Sequence, residues 1–94
     1  MTKAEIVAEI ANKTNVEKIA VQQIVEAFMD SIKKAMINGE NVYLRGFGSF
    51  VIKRRAEKTG RNISKNTTII IPAHNIPSFK PAKSFVNEVK NNVK

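Results

Sequence analysis

The 94-residue sequence has no cysteine, a single histidine, and only two acidic residues after position 42. Without cysteine there is neither a disulfide framework nor a thiolate metal site, and nothing points to an oxidising compartment. One histidine and no acid pair in a recognisable motif leave no constellation for nucleophilic, acid–base or metal chemistry. No enzyme, metal, cofactor or small-molecule substrate is therefore expected. Gly46-Phe47-Gly48 falls short of a nucleotide loop, because Val51 stands where G-x-G-x-x-G needs its third glycine and no helix pattern follows. Long apolar runs are missing too. Met1 to Asn12 carries Glu5 and Glu9, unlike a signal peptide or a spanning helix, so a cytoplasmic protein with no membrane partner is expected.

What is present is basic charge, unevenly placed. The net charge is +8. Residues 1–42 hold five lysines against six acids, whereas residues 43–94 hold eleven lysines and arginines against Glu57 and Glu88. A near-neutral half joined to a strongly basic half points to a polyanionic partner.

The near-neutral half reads as helical. Thr2-x-x-Glu5 has the form of a capping box, and Ile6, Val7, Ile10 and Ala11 follow at helical spacing to about Lys13. Thr14-x-x-Glu17 is a second such box, with Asn15 as a rival N-cap. A longer apolar stripe then runs through Val21, Ile24, Val25, Phe28, Ile32, Ala35 and Met36, and Asn38-Gly39 ends it. The reading is a helical hairpin over residues 1–40. Its stripe, with Val25, Phe28 and Ile32, joins Leu44, Phe47, Phe50, Phe79 and Phe85 in offering more apolar surface than one small body buries, so these residues are expected to form a dimer core.

After Gly39 the period changes to two, with Val42 and Leu44 on one face and Tyr43 and Arg45 on the other. Phe50 to Ile52 and Thr67 to Ile71 are further strand runs, and Pro72 marks an edge or a bulge. Between Lys53 and Lys65 lie Lys53, Arg54, Arg55, Lys58, Arg61 and Lys65 against Glu57 alone, and almost no apolar side chain. Antiparallel pairing of Phe50–Lys58 with Thr67–Asn75 makes this stretch a basic β-ribbon with its turn near residues 60–66. Ten residues per strand carry its tip roughly 30 Å from the body. Ile63, the one bulky apolar residue near that tip, suits a wedge between base pairs, a device known in minor-groove architectural proteins. Pro77 and Pro81 predict extended turns. Phe85, Val86, Val89 and Val93 then predict a short C-terminal helix.

Gly46-Phe47-Gly48-Ser49-Phe50, then Thr59-Gly60-Arg61-Asn62, then Ile76-Pro77-Ser78-Phe79-Lys80 with Lys83 resemble the HU/IHF family of bacterial DNA-bending proteins over essentially the whole chain. The resemblance implies an intertwined α+β homodimer: a helical dimerisation part over 1–40, a three-stranded antiparallel sheet and DNA-binding arm over 41–79, and a C-terminal helix over 80–94, all in one domain. It implies arm contacts to double-stranded DNA from Lys53, Arg55, Lys58 and Arg61, with Asn62 beside the wedge. It also places the backbones of Gly46 and Gly48 near phosphate, and Lys3, Lys80 and Lys83 near the duplex. Three positions depart from the family pattern. Ile63 stands where proline is usual, Asn66 replaces a turn glycine, and Ala82 replaces the glycine before the last helix. The expected function is non-sequence-specific DNA binding and bending in the nucleoid. A sequence-preferring bender of the IHF type and an RNA-binding structural protein are the alternatives.

Overall fold

The structure, a computed structural model, describes residues 1–62 and 67–93, with 61, 62 and 67 described through their backbone. The described residues form an α+β chain of three helices and five strands. They fall into two compact units, residues 1–35 and 36–94.

The first unit holds helix α1 (Lys3–Thr14) and most of helix α2 (Lys18–Ile37). Thr2 caps α1, its Oγ1 accepting from the Glu5 N–H at 3.3 Å. The Glu5 carboxylate answers by accepting from the Thr2 hydroxyl at 3.2 Å rather than from a backbone N–H, so only half of the expected capping box forms. The second expected box does not form. Thr14 is the last residue of α1 and its hydroxyl donates back to the Ile10 carbonyl at 2.6 Å. Asn15 ends α1 instead of starting α2: at φ 62° it takes the left-handed conformation that closes a helix, which asparagine tolerates better than most residues. The first hydrogen bond of α2 runs from the Val21 N–H to the Glu17 carbonyl. Val7 and Val21 are the buried large apolar residues among the described ones. The rest of the α2 stripe is not core within one chain, since Ile24 is 65% and Phe28 49% exposed.

In the second unit, Gly39 at φ +84° closes α2, with its N–H donating to the Met36 carbonyl. Strands β1 (Val42–Leu44), β2 (Gly48–Arg55) and β5 (His74–Pro81) make an antiparallel sheet in the order β1-β2-β5. Strands β3 (Lys58–Asn62) and β4 (Thr67–Ile71) make a separate two-stranded ribbon, and helix α3 (Lys83–Asn92) ends the unit. The β2–β5 register puts Phe50 opposite Phe79 and Arg55 opposite His74, and the ribbon continues it in phase, from Lys58 opposite Ile71 to Asn62 opposite Thr67. This register lies four residues beyond the one expected. Phe50 faces Phe79 instead of Asn75, and Thr59 to Asn62 are strand rather than turn. A shift by an even number of residues leaves the in–out alternation intact, so the pattern alone does not distinguish the two. The aromatic pair does: Phe50 and Phe79 have ring centroids 4.9 Å apart.

The prolines fit the same register. The Ile52 N–H donates to Asn41 Oδ1 at 3.0 Å, away from β5, so Ile52 and Pro77 form a non-hydrogen-bonded pair. Pro77 and Pro81 share that phase on an edge strand, where a missing N–H costs the ladder nothing, and both lie inside β5 rather than in turns. Pro72 has the opposite phase. Its position calls for an N–H it does not have, and the ladder is interrupted between the two sheets with no bulge, since the pairing on either side stays in step.

Candidate nucleic-acid interface

Alternation along the paired strands divides the three-stranded sheet into two chemically different faces. One carries Val42, Leu44, Phe50, Ile52, Pro77 and Phe79. Phe47 packs on Phe79 with centroids 5.1 Å apart, and Phe85 of α3 stacks on Phe47 at 5.7 Å. The Ala82 N–H, donating to the Phe47 carbonyl at 2.8 Å, ties the start of α3 to the same turn.

The other face carries the cations Lys53, Arg55 and Lys80 together with Tyr43, Ser49, Ser78 and His74, and the half-buried Val51 and Ile76 lie among them. Lys53 and Arg55 are exposed and point the same way at roughly 7 Å spacing, two residues along a strand. Among the described residues no carboxylate lies within 4 Å of these cations; the ion pairs there are Lys3–Glu26 and Lys34–Asp30. A sheet face whose cations have no internal counter-charge is suited to an external anion. Next to it, Arg45, Gly46, Ser49, Lys80 and Ala82 line a shallow concavity. A family model described as "Bacterial DNA-binding protein" matches residues 1–90.

The chain belongs to the bacterial DNA-binding protein family. The resemblance drawn from its glycine, arm and Ile76–Lys80 motifs is thereby borne out. The chain is 41% identical over 90 residues to the SPbeta prophage-derived DNA-binding protein HU 2 of Bacillus subtilis, covering 96% of this chain and 98% of that one. It is 37% identical over 90 residues to the DNA-binding protein HU of Thermus thermophilus, covering 96% and 93%. Its fold is similar to that in an Anabaena HU–DNA cocrystal structure, with TM-score 0.89, 34% identity and full coverage of both chains.

Within this family member the predicted site residues are distributed unevenly. Lys53, Arg55 and Lys80 come together on the polar face, but Arg54 falls on the opposite one, since it alternates with its neighbours. Lys58 opens the ribbon, and Arg61 and Asn62 lie in its first strand. Ile63 and Lys65 fall outside the described residues. Lys83 is exposed as the first residue of α3, at the positive end of a helix with no acid in its first turn and no side-chain cap. The charge there does nothing for the helix and remains available to an anion.

Lys3 is already engaged. Its Nζ lies 3.0 Å from Glu26 Oε1, and this hydrogen bond and charge hold the Glu26 carboxyl below the usual carboxylate range. The two glycines have different reasons for being glycine. Gly46, exposed at φ +80°, needs a left-handed turn, whereas a Cβ on buried Gly48 would lie 2.6 Å from the Lys80 carbonyl and from the Phe79 ring. Packing by itself requires glycine at 48.

Tyr43, Arg45 and His74 were not among the predicted contacts. The alternation of Tyr43 and Arg45 was visible in the sequence, but His74 joins Arg55 only through the register.

Among the described residues no helix is long and apolar enough to cross a membrane, and no group of three or more His, Asp or Glu is placed to hold a metal ion.

Proposed function

We propose that this protein binds double-stranded DNA as a homodimer in the nucleoid of the cytoplasm and bends it with little regard to sequence. The observation that carries the reading is the two-faced sheet. Aromatic packing occupies one side, and unpaired cations that lead into a basic ribbon occupy the other. Lys53, Arg55, Lys58, Arg61 and Lys65 follow the phosphates along the arm, with Lys3, Lys80 and Lys83 at the body. These contacts position the protein without reading bases, so specificity is left to the deformability of the duplex. The likeness to an Anabaena HU–DNA cocrystal structure supports the same partner. The dimer is supported by apolar surface that one chain leaves open: Ile24, Phe28 and Met29 along α2, and a groove bordered by Phe79, Phe85, Val86 and Val89.

The test is the affinity for mixed-sequence duplexes at several salt concentrations. Counterion release gives a log–log slope of about −0.9 for each phosphate neutralised, so a slope of several units with little spread between sequences is expected. One sequence bound far above the others would favour an IHF-type bender, and stronger binding to duplex RNA would favour the RNA reading. Ile63 enters as the wedge. Ile63→Ala is expected to straighten the bound duplex, read by end-to-end energy transfer, while leaving the salt slope nearly unchanged. An unchanged bend would remove the wedge from the account.

A further inference from the structure

We propose that His74 is a phosphate-contacting residue of the interface that binds as the imidazolium, so that DNA binding takes up a proton; this rests on the DNA-binding reading above. His74 is the only histidine in the chain. It is exposed at the first position of β5, directly opposite Arg55 on the cationic face, at the border between the three-stranded sheet and the ribbon. Its Nδ1 lies 2.9 Å from the Pro72 carbonyl oxygen. A carbonyl only accepts, so Nδ1 carries the proton and the neutral ring presents Nε2 as a bare acceptor.

That orientation decides the chemistry. A phosphate oxygen has no proton to give, so a neutral His74 meets it lone pair to lone pair. Protonation at Nε2 turns the same ring into a charged donor whose other nitrogen stays anchored to Pro72. The groups that share its face are Arg55 directly across and Lys53 one pair further along, both cations, with Glu57 in the adjoining interruption as the nearby acid in sequence. Among the described residues no carboxylate comes within 4 Å of the ring. Once protonated, the ring therefore finds its counter-charge on a ligand.

The experiment is to measure the affinity of the full chain for a mixed-sequence duplex at pH 6 and pH 8, each over a range of salt, for wild type, His74→Gln and His74→Lys. Wild type is expected to bind tighter at pH 6 by about threefold to tenfold per protomer, with a salt slope steeper by about one unit per histidine. His74→Gln should lose that pH response, which assigns the response to His74. His74→Lys should show the steeper slope at both pH values. A full pH response surviving in His74→Gln would overturn the proposal alone. Failure of wild type to bind duplex at any pH would overturn the DNA-binding reading with it.

Discussion

The two sheets of the second unit share one register and are held by different forces. In the β1-β2-β5 sheet, Phe47, Phe50, Phe79 and Phe85 make a chain of ring contacts over one face, so side-chain packing gives that sheet its order. The β3–β4 ribbon has no such face. It carries no aromatic ring, and the alternation of Ile69, Ile70 and Ile71 puts apolar groups on both sides of only two strands. A two-stranded ribbon that relies on its backbone ladder is marginal in water. The contrast separates the two: ring contacts hold the three-stranded sheet, and the arm depends on its backbone ladder.

The largest effect expected is on stability. Phe79→Ala removes the ring that joins Phe47 to Phe50 and should cost about 3 kcal/mol in a urea titration, whereas Ile70→Ala in the arm should change stability by less than about 0.5 kcal/mol. Equal losses would erase the distinction between the sheets.

Much of this division was legible in the sequence, for reasons that vary along the chain. The helices followed from their apolar spacing and from Thr2 and Gly39, which did cap as expected. The arm followed from charge density, since a stretch with six cations and almost no apolar side chain has nothing with which to build a core. The register was not legible, because alternation repeats every two residues. It took the Phe50–Phe79 contact and the phase of three prolines to fix it. Thr14 and Asn15 misled because threonine and asparagine serve either end of a helix, and only the left-handed φ of Asn15 shows which end this is. The split of Arg54 from Lys53 and Arg55, and the meeting of Arg55 with His74, depend on strand assignment and register, which a run of basic residues does not reveal.

The next effect is on affinity and tests the two faces. Arg55→Ala should weaken duplex binding about tenfold near 0.1 M salt and lower the slope by about 0.9 for each phosphate no longer neutralised, equally for all sequences. Arg54→Ala, on the other face, should lose less. A larger loss from Arg54 would mean that the aromatic face, and not its reverse, lies toward the DNA.

The smallest effects concern the join between the sheets. Pro72→Val restores an N–H at a hydrogen-bonding position, and hydrogen exchange in the ribbon should slow by the equivalent of about 0.5–1 kcal/mol as the ladder becomes continuous. Pro77→Ala adds an N–H that points away from β2, so stability should change by less than about 0.5 kcal/mol. If the two substitutions behaved alike, the phase argument would be wrong.

The central claim is that the body folds without the arm and the arm supplies the grip. Arg55 and His74 form a hydrogen-bonded pair, the pairing that closes a two-residue hairpin, so residues 56–73 can be replaced by Asn-Gly, which favours the type I′ turn. The direct measurement is the thermal melting and duplex affinity of this armless protein beside the full chain. The expected result is a melting temperature within a few degrees of the full chain and affinity lower by about a hundredfold or more at 0.1 M salt, with a much shallower salt slope. An armless protein that bound duplex as tightly as the full chain, or that failed to fold, would contradict it.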